Sequence, residues 1–356
     1  MPHLPQLLDP QNYRPCSWDL ALDTPGREYW VNLFCRHFEL VETLIAEEFP
    51  SATAADLANV RAEYEAEMWR FRDKPQQFER ADVMKLTELR RDVLRKHGFD
   101  DPFRGLKRRE NEAALQLLPE VLRELHGLPT PQQATTLMAG LMAGNVFDLG
   151  AMPAIERYQA GESGFRRAIS NVPPRPWFID DLDRWIDAWL DGSGFEHVLF
   201  FLDNAGSDAC LGCVPLARWM LERGTRVSLA ANSGPALNDI TYAELLEIMP
   251  RIASLDATIE SAWRDGRLRI TPTGSSLPLL DLADLSPQCV ALAQTADLVI
   301  LHGMGRAIES NFDVPLNSAA LRTAVLKDPA VAAHLGANLF DCVCRFTPRA
   351  GRAGSA

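Results

Sequence analysis

Short, continuous apolar runs alternate with turn residues and helical patterns along the second half of the chain. The runs are His197-Val-Leu-Phe-Phe-Leu, Arg226-Val-Ser-Leu-Ala-Ala, Leu268-Arg-Ile-Thr, Asp297-Leu-Val-Ile-Leu and Leu339-Phe-Asp-Cys-Val-Cys-Arg-Phe. Strands that are apolar on both faces are typical of a parallel sheet covered by helices on each side. This half is therefore predicted to be an α/β domain.

The first half follows another pattern. Between residues 27 and 141, apolar residues recur every three or four positions among charges, as in Ala113-Ala-Leu-Gln-Leu-Leu-Pro. That spacing predicts amphipathic helices. Residues 349–356 have almost nothing to bury. We therefore predict a mainly helical N-terminal part at 1–190, an α/β domain at 191–348 and a tail at 349–356.

Composition excludes several classes of partner. The 356 residues carry a formal net charge of −12. No block of Lys and Arg is interleaved with aromatic residues, which argues against binding to nucleic acid or to an anionic membrane surface. A small molecule is the expected partner. If that molecule carries phosphate, local cations or a metal must reverse the acidic field at the site.

The cysteines and the hydropathy pattern indicate a cytoplasmic protein. Seven cysteines, an odd number, are scattered through the chain and do not resemble a disulfide framework. Cys210 and Cys213 form one C-x-x-C pair, for which core packing is favoured over metal binding because a second pair at zinc-finger spacing is missing. No apolar run reaches the 18 residues that a membrane span requires.

Two strand ends carry Asp beside Asn. Asp203 and Asn204 follow the first apolar run, and Asn238 and Asp239 follow the second. Ligands of parallel sheets bind beyond the carboxyl ends of the strands. Either pair alone is explained as a helix N-cap. Two such pairs at neighbouring strand ends favour a site for a hard cation such as magnesium or manganese.

A third strand ends at His302 and continues as Gly303-Met304-Gly305-Arg306. The glycines allow the backbone to approach a ligand closely, and Arg306 can bind phosphate oxygens in a bidentate manner. Lys327, predicted in the following helix, adds a second positive charge. Each of these features is weak evidence by itself, but together they supply the required local cations.

Three stretches together resemble one known family. Asp203-Asn-Ala-Gly, Asn232-Ser-Gly-Pro-Ala-Leu-Asn-Asp-Ile-Thr and Gly303-Met-Gly-Arg are similar to motifs of the damage-control phosphatases, formerly domain of unknown function eighty-nine. The resemblance is strongest to the second subfamily, which includes the phosphatase domain joined to pantothenate kinase-like proteins. Further similar segments, in the family order, extend it over nearly the whole chain: Tyr29-Trp30, Arg109-Glu-Asn111, Ala143-Gly-Asn-Val-Phe-Asp148 and Thr273-Gly-Ser-Ser276.

The resemblance implies a helical N-terminal part followed by a three-layer α/β/α domain with a mainly parallel sheet. It implies metal-dependent hydrolysis of small phosphate monoesters and points towards 4'-phosphopantetheine or its oxidised or damaged derivatives as substrate. One divalent ion, manganese, cobalt, nickel or magnesium, would be held by Asp203, Asn204 and Asp239.

The expected site extends beyond the metal ligands. The residues assigned to catalysis are Asp203, Asp208, Asp239, Arg306 and Lys327. The residues assigned to substrate binding are Asn145, Asp148, Ser233, Gly303, Met304, Gly305, Arg306 and Lys327. For Asn145 and Asp148, a buried hinge in the helical half explains the pattern equally well. The nucleophile is either water activated by the ion or a site carboxylate, and Asp208 is a candidate general base.

His302 departs from the subfamily motif, which has Glu before Gly-Met-Gly-Arg. This histidine is a pH-sensitive substitute, or it marks a different substrate or a less efficient site. Two alternatives therefore stay open beside the phosphopantetheine phosphatase: a sugar-phosphate phosphatase, and a non-catalytic metal- and phosphate-binding metabolite sensor. The sequence leaves the oligomeric state open.

Overall fold

The structure, a computed structural model, describes residues 2–146, 169–170, 172–190 and 194–349. Five α-helices occupy most of the first described segment: α1 (Thr24–Glu48), α2 (Ala54–Asp73), α3 (Val83–Lys96), α4 (Arg104–His126) and α5 (Thr130–Val146). Local side chains begin several of them. Asp23 accepts a hydrogen bond from the Gly26 amide at the start of α1, and Thr53 and Asp56 form a reciprocal capping box at the start of α2.

One seven-stranded sheet forms the centre of the molecule. Its strands are β1 (Ile179–Asp180), β2 (His197–Phe201), β3 (Arg226–Ala231), β4 (Leu268–Pro272), β5 (Leu298–His302), β6 (Ala319–Val325) and β7 (Cys342–Thr347). The spatial order is β1-β7-β6-β5-β2-β3-β4, and neighbours are parallel except for the β6–β7 pair. The predicted α/β fold with a mainly parallel sheet is confirmed.

Among the residues described after β1, six more α-helices lie between the strands: α6 (Leu182–Leu190), α7 (Val214–Glu222), α8 (Tyr242–Ser254), α9 (Ala257–Asp265), α10 (Pro287–Ala293) and α11 (Pro329–Leu335). Two π-helical segments, Asp208–Cys213 and Met304–Glu309, follow the turns after β2 and β5. Both segments therefore begin at strand ends for which the sequence predicts a site. Among the described helices, none has both the length and the apolar character needed to cross a bilayer.

The strands divide the interior into two hydrophobic cores because successive side chains point to opposite faces. In β2, Val198 and Phe200 belong to one core, and Leu199 and Phe201 to the other. The first core also contains side chains from α4 and α5, whereas the second contains side chains from α1, α2 and α3 and, from the first turn of α4, Leu106. The N-terminal helices therefore pack on both faces of the central sheet.

The proposed division at residue 190 separates the chain in sequence but not in packing. Strand β1 precedes that position and pairs with β7, with Ile179 opposite Val343. The helices before it share both cores with the strands after it. The boundary at residue 190 remains a prediction about the organisation of the sequence. In the structure, the residues on either side of it share the same hydrophobic cores.

Candidate active site

Backbone pairing brings the ends of β2 and β3 together. Asn204 and Asp239 form an antiparallel bridge, the Ile240 amide donates to the Asp203 carbonyl at 3.0 Å, and the Ala205 amide donates to the Asn238 carbonyl at 2.9 Å. Asp203, Asn204 and Asp239 are 6%, 5% and 2% exposed. The three predicted metal ligands thus lie side by side on paired backbone segments.

The helix-cap explanation fails at the end of β3. Helix α8 is capped by Thr241, whose hydroxyl accepts a hydrogen bond from the Glu244 amide while the Glu244 carboxylate accepts from the Thr241 amide. Asn238 and Asp239 precede this cap. Asp239 instead accepts a hydrogen bond from the Asn232 side chain at 2.9 Å. Asp239 is therefore not used as a helix cap, and its carboxylate can contact a ligand.

Gly303, after β5, allows the backbone to pass directly over the Asp203 carboxylate. Its φ of +92° lies in the left-handed region that disfavours residues with a side chain. A Cβ atom at this position would overlap the Asp203 carboxylate. The first glycine of the Gly-x-Gly-Arg motif is therefore required both by backbone conformation and by contact.

Arg306 binds the carboxylates of two predicted metal ligands, Asp203 and Asp239. It is 1% exposed, and its guanidinium donates to Asp203 and, at 2.6 Å, to Asp239. Burial lowers the pKa of this guanidinium, but the charges of Asp239 and Asp203 outweigh burial and raise the pKa overall. Burial raises the pKa of Asp203, and Arg306 opposes that change. One guanidinium thus offsets one of the two negative charges that these carboxylates carry when both are ionised.

Asp208 is held in a closed polar cluster behind these residues. His302 Nε2 lies 2.7 Å from Asp208 Oδ1, and His302 Nδ1 lies 2.8 Å from the Thr323 hydroxyl. Burial disfavours ionisation of Asp208, but the charge of His302 and its hydrogen bond outweigh burial, so the pKa of Asp208 lies below its usual range. The predicted general base is therefore ionised and engaged with His302.

The ligand atoms of Asp208, Cys213 and His302 all lie within 4.8 Å of one another, and these residue types can hold a metal ion. Each of the three side chains is at most 1% exposed. Burial raises the pKa of the Cys213 thiol, and the nearby charges of Asp208 and Asp203 raise it further. A thiol with a raised pKa resists the deprotonation that metal ligation requires.

Asn145, in the last turn of α5, reaches this region from the helical half. Its side-chain nitrogen donates to Asp203 at 3.0 Å and to Asp208 at 3.2 Å. The Lys327 ammonium donates to the Asn145 carbonyl at 3.0 Å. Lys327 lies in the turn between β6 and α11 rather than in a helix, which corrects the prediction from sequence. Asp148 lies outside the described residues.

A cavity of about 360 Å³ opens over Asp203, Asn204 and Asp239. Much of its wall is apolar or aromatic, with contributions from the helical half and from loops after the strands. The residues of that wall include Trp30, Phe34, Phe103, Leu237, Leu279 and Met304. Gly305 and Lys327, two of the residues assigned to substrate binding from sequence, also line it. Ser233 is exposed and accepts a hydrogen bond from the Gly274 amide at 2.7 Å, away from this lining.

The damage-control phosphatase ARMT1-like domain matches residues 34–343, which include the three predicted metal ligands and all of the cavity wall described above except Trp30. The chain belongs to this family. A damage-control phosphatase of Arabidopsis thaliana is 34% identical over 97% of this chain and 96% of its own length. The mouse protein named 4'-phosphopantetheine phosphatase is 34% identical over 97% of this chain and 48% of its own length.

Some relatives are much longer than this member of the family. The protein named pantothenate kinase 2 of Arabidopsis thaliana is 36% identical over 97% of this chain but only 41% of its own length. The chain thus spans about half the length of several curated relatives that it matches. A solved structure of a DUF89 protein from Pyrococcus horikoshii shares the fold, with a TM-score of 0.61 at 16% identity over 89% of this chain and 96% of its own.

Three charged residues of this family member line the cavity but escape prediction from the motifs: Glu309, Arg90 and Asp328. Glu309 lies three residues beyond Arg306, and burial together with the charges of Asp328 and Asp203 raises its pKa to about 8, against the opposing charge of Lys327. Arg90 lies in α3. The sequence feature that could have identified it is a charged residue on the apolar face of this helix, which includes Leu86 and Val93.

Proposed function

We propose that this chain is a metal-dependent phosphatase that hydrolyses small phosphate monoesters. The observation that carries the proposal is the cavity floor, where Asp203, Asn204 and Asp239 from two adjacent strand ends face an otherwise largely apolar pocket. Membership of the damage-control phosphatase family supports it. A cytoplasmic location and a small phosphorylated metabolite as partner belong to the same proposal.

The residues present fit a divalent cation. Two carboxylates and one amide are hard oxygen donors of the kind that magnesium and manganese prefer. The Asn204 side-chain nitrogen donates to Asp203 and Asp208, which leaves its amide oxygen as the acceptor of that side chain. Asp203 and Asp239 already share a cation, the Arg306 guanidinium. When bound, a divalent ion supplies positive charge to the phosphoryl group.

Chain residues supply the remaining groups of the proposed reaction. Hydrolysis forms a bond from a water oxygen to phosphorus and breaks the bond from phosphorus to the ester oxygen. Glu309, whose pKa of about 8 keeps it protonated at neutral pH, lines the cavity and can give its proton to the departing oxygen. Lys327 adds charge at the same wall. Asp208 orients Asn204, because its carboxylate accepts hydrogen bonds from the backbone amide and the side-chain nitrogen of Asn204.

The substrate that best fits the proposal is 4'-phosphopantetheine or an oxidised or damaged derivative. One relative that matches nearly the whole chain carries the name 4'-phosphopantetheine phosphatase. Ligand pockets for small organic molecules commonly measure roughly 300 to 1,000 Å³ and are mostly apolar. The cavity of about 360 Å³, with Trp30, Phe34 and Phe103 in its wall, suits the long arm of such an ester.

A phosphate-release assay tests the function. The protein is stripped of metal with a chelator and then supplied with manganese, cobalt, nickel or magnesium. Phosphopantetheine, several sugar phosphates and an aryl phosphate are offered as substrates. We expect release that requires metal and that falls by at least about a hundredfold in Asp203→Asn and Asp239→Asn, because charge stabilisation by such groups dominates phosphoryl transfer.

The matched control is Asp313→Asn, an exposed aspartate that pairs with Arg345 at 3.0 Å outside the cavity. Its turnover should equal that of the unaltered protein. If no substrate releases phosphate with any metal while ligands still raise the melting temperature, the protein is a metabolite sensor instead. Faster release from sugar phosphates than from phosphopantetheine would overturn the substrate assignment and leave the reaction class intact.

A further inference from the structure

Arg90 is a buried arginine that faces the cavity. It lies in α3, is 7% exposed, and is the one arginine among the described residues that line the cavity. Other basic residues of the same helix are engaged at the surface, with Arg91 bound to Asp92 and Lys96 bound to Glu63. Arg90 therefore differs from the ordinary charged residues of an amphipathic helix.

No other described residue forms a hydrogen bond or an ion pair with the Arg90 guanidinium. Its contact is with the Phe34 ring, whose centroid lies 4.9 Å from the guanidinium carbon. Arg322, which is also buried, instead donates to the backbone carbonyls of Asn311 and Val314. A buried cation without such partners is costly. The surroundings of Arg90 are therefore incomplete without an anion.

The charge balance of the cavity indicates where that anion lies. Burial lowers the pKa of Arg90, and the charge of Asp239 opposes this effect without an ion pair between them. The Asp239 carboxylate is bound to Arg306 at 2.6 Å instead. Arg306 is not among the described residues that line the cavity, whereas Arg90 is. A ligand that enters the pocket thus meets the guanidinium of Arg90.

We propose that Arg90 is the guanidinium that binds the phosphate group of the substrate. Its planar fork of N–H donors matches two oxygens of a phosphate monoester, and stacking on Phe34 fixes the plane of that fork. The phosphate then lies between Arg90 and the cavity floor of Asp203, Asn204 and Asp239. Arg306 serves to hold the carboxylates of that floor. This assignment rests on the proposed function.

Binding of inorganic phosphate tests the assignment without any turnover. The dissociation constant is measured by calorimetry on the full chain, with and without manganese, for the unaltered protein and for Arg90→Met. We expect the affinity to fall by about tenfold to a hundredfold, the range for a charge-assisted contact. Arg90→Met should also melt no lower than the unaltered protein in the absence of phosphate, because it removes an uncompensated buried cation.

Arg70→Met is the matched control, because Arg70 also stacks at 4.9 Å, on Phe78, but at an exposed position. It should bind phosphate normally. Arg90→Lys keeps the charge without the fork, so it should lose less affinity than Arg90→Met. If Arg90→Met does not fold, Arg90→Gln, checked by circular dichroism, replaces it.

The outcomes separate this inference from the proposed function. Phosphate affinity in Arg90→Met within twofold of the unaltered value overturns the assignment, as does the absence of phosphate binding by the unaltered protein. Phosphate release by the unaltered protein would leave the proposed function standing in either case. If Arg90→Met binds phosphate more weakly but the unaltered protein hydrolyses no ester, the assignment of Arg90 is supported and the proposed phosphatase function is wrong.

Discussion

Glu309 is a carboxyl group whose environment favours the protonated form. Burial is the main cause of its raised pKa, and the neighbouring charges of Asp328 and Asp203 add to it. In the unfolded chain the same group titrates near the ordinary value of 4.5. Between about pH 4.5 and about pH 8 the folded protein therefore holds a proton that the unfolded chain releases.

Linkage gives the sign of the resulting pH dependence. Because the folded state binds more protons in this window, the contribution of Glu309 to the free energy of unfolding falls as pH rises from about 4.5 to about 8. We expect Glu309→Gln, which cannot ionise, to remove this fall and to be more stable than the unaltered protein at pH 8. Denaturant unfolding at a series of pH values measures it.

Glu112→Gln is the matched control for this experiment, because Glu112 is an exposed glutamate that pairs with Arg251 outside the cavity. This variant should keep the pH dependence of the unaltered protein. Parallel stability curves for Glu309→Gln and the unaltered protein would contradict a raised pKa at Glu309.

Local sequence predicts only part of the site. Asp203, Asn204 and Asp239 could be proposed from sequence because they directly follow apolar strands, where parallel sheets place ligands. Arg306 was assigned to the phosphate, but its contacts with two carboxylates depend on distant strand ends that sequence does not order in space. Arg90 was missed for the same reason, since its position over the floor depends on how α3 packs.

Gly303 lies in the turn after β5, and this turn fixes the space that is left for the Asp203 carboxylate. Replacement by Ala places a Cβ atom against the Asp203 carboxylate, in an extended backbone conformation with positive φ that itself costs about 1 to 3 kcal/mol. We expect Gly303→Ala to lose phosphate release by about a hundredfold, because small displacements of reacting groups have effects of that size. The rise in melting temperature on adding manganese should shrink as well.

Gly224→Ala separates backbone strain from displacement of Asp203. Gly224 has a φ of +81°, close to that of Gly303, but a Cβ atom there meets nothing within 4 Å. This variant also introduces a side chain at a positive φ, but it should keep full turnover. Equal turnover in the two variants would mean that Asp203 does not need its position under Gly303.

The elements themselves were predicted unevenly. Strands β2, β3, β4, β5 and β7 were each marked by a short apolar run and are confirmed. Strand β6 was missed because Arg322 and Thr323 interrupt its apolar pattern; Arg322 is tolerated there because backbone carbonyls accept from its guanidinium. Strand β1, with two residues, is too short to show a period.

The whole molecule is expected to fold as one unit. The helices before residue 190 cover both faces of the sheet, with side chains of α4 and α5 in one core and of α1 to α3 in the other. A fragment of residues 191–356 would keep α7 to α11 but lose the remaining helical cover on both faces of the sheet, and parallel sheets rarely tolerate an exposed face. We therefore expect this fragment to lack a cooperative thermal transition by circular dichroism, whereas the full chain shows a single one.

A fragment that melts cooperatively, with dispersed amide resonances, would contradict this expectation and establish residues 191–348 as an autonomous domain. The matched comparison is a mixture of separately expressed residues 1–190 and 191–356. Recovery of a cooperative transition on mixing would show that the helices and the sheet need contact but not covalent connection.

The contact between α1 and the end of the chain also has a consequence for the order of events during synthesis. The Tyr29 hydroxyl donates to Asp328 at 2.6 Å, across 299 residues of sequence. On a ribosome that adds roughly 5 to 20 residues each second, α1 waits at least about 15 seconds for this partner to be made. During that time the Tyr29 hydroxyl lacks its acceptor, whereas Phe34 can already contact Arg90 of α3, so the two contacts of α1 form at different stages of synthesis.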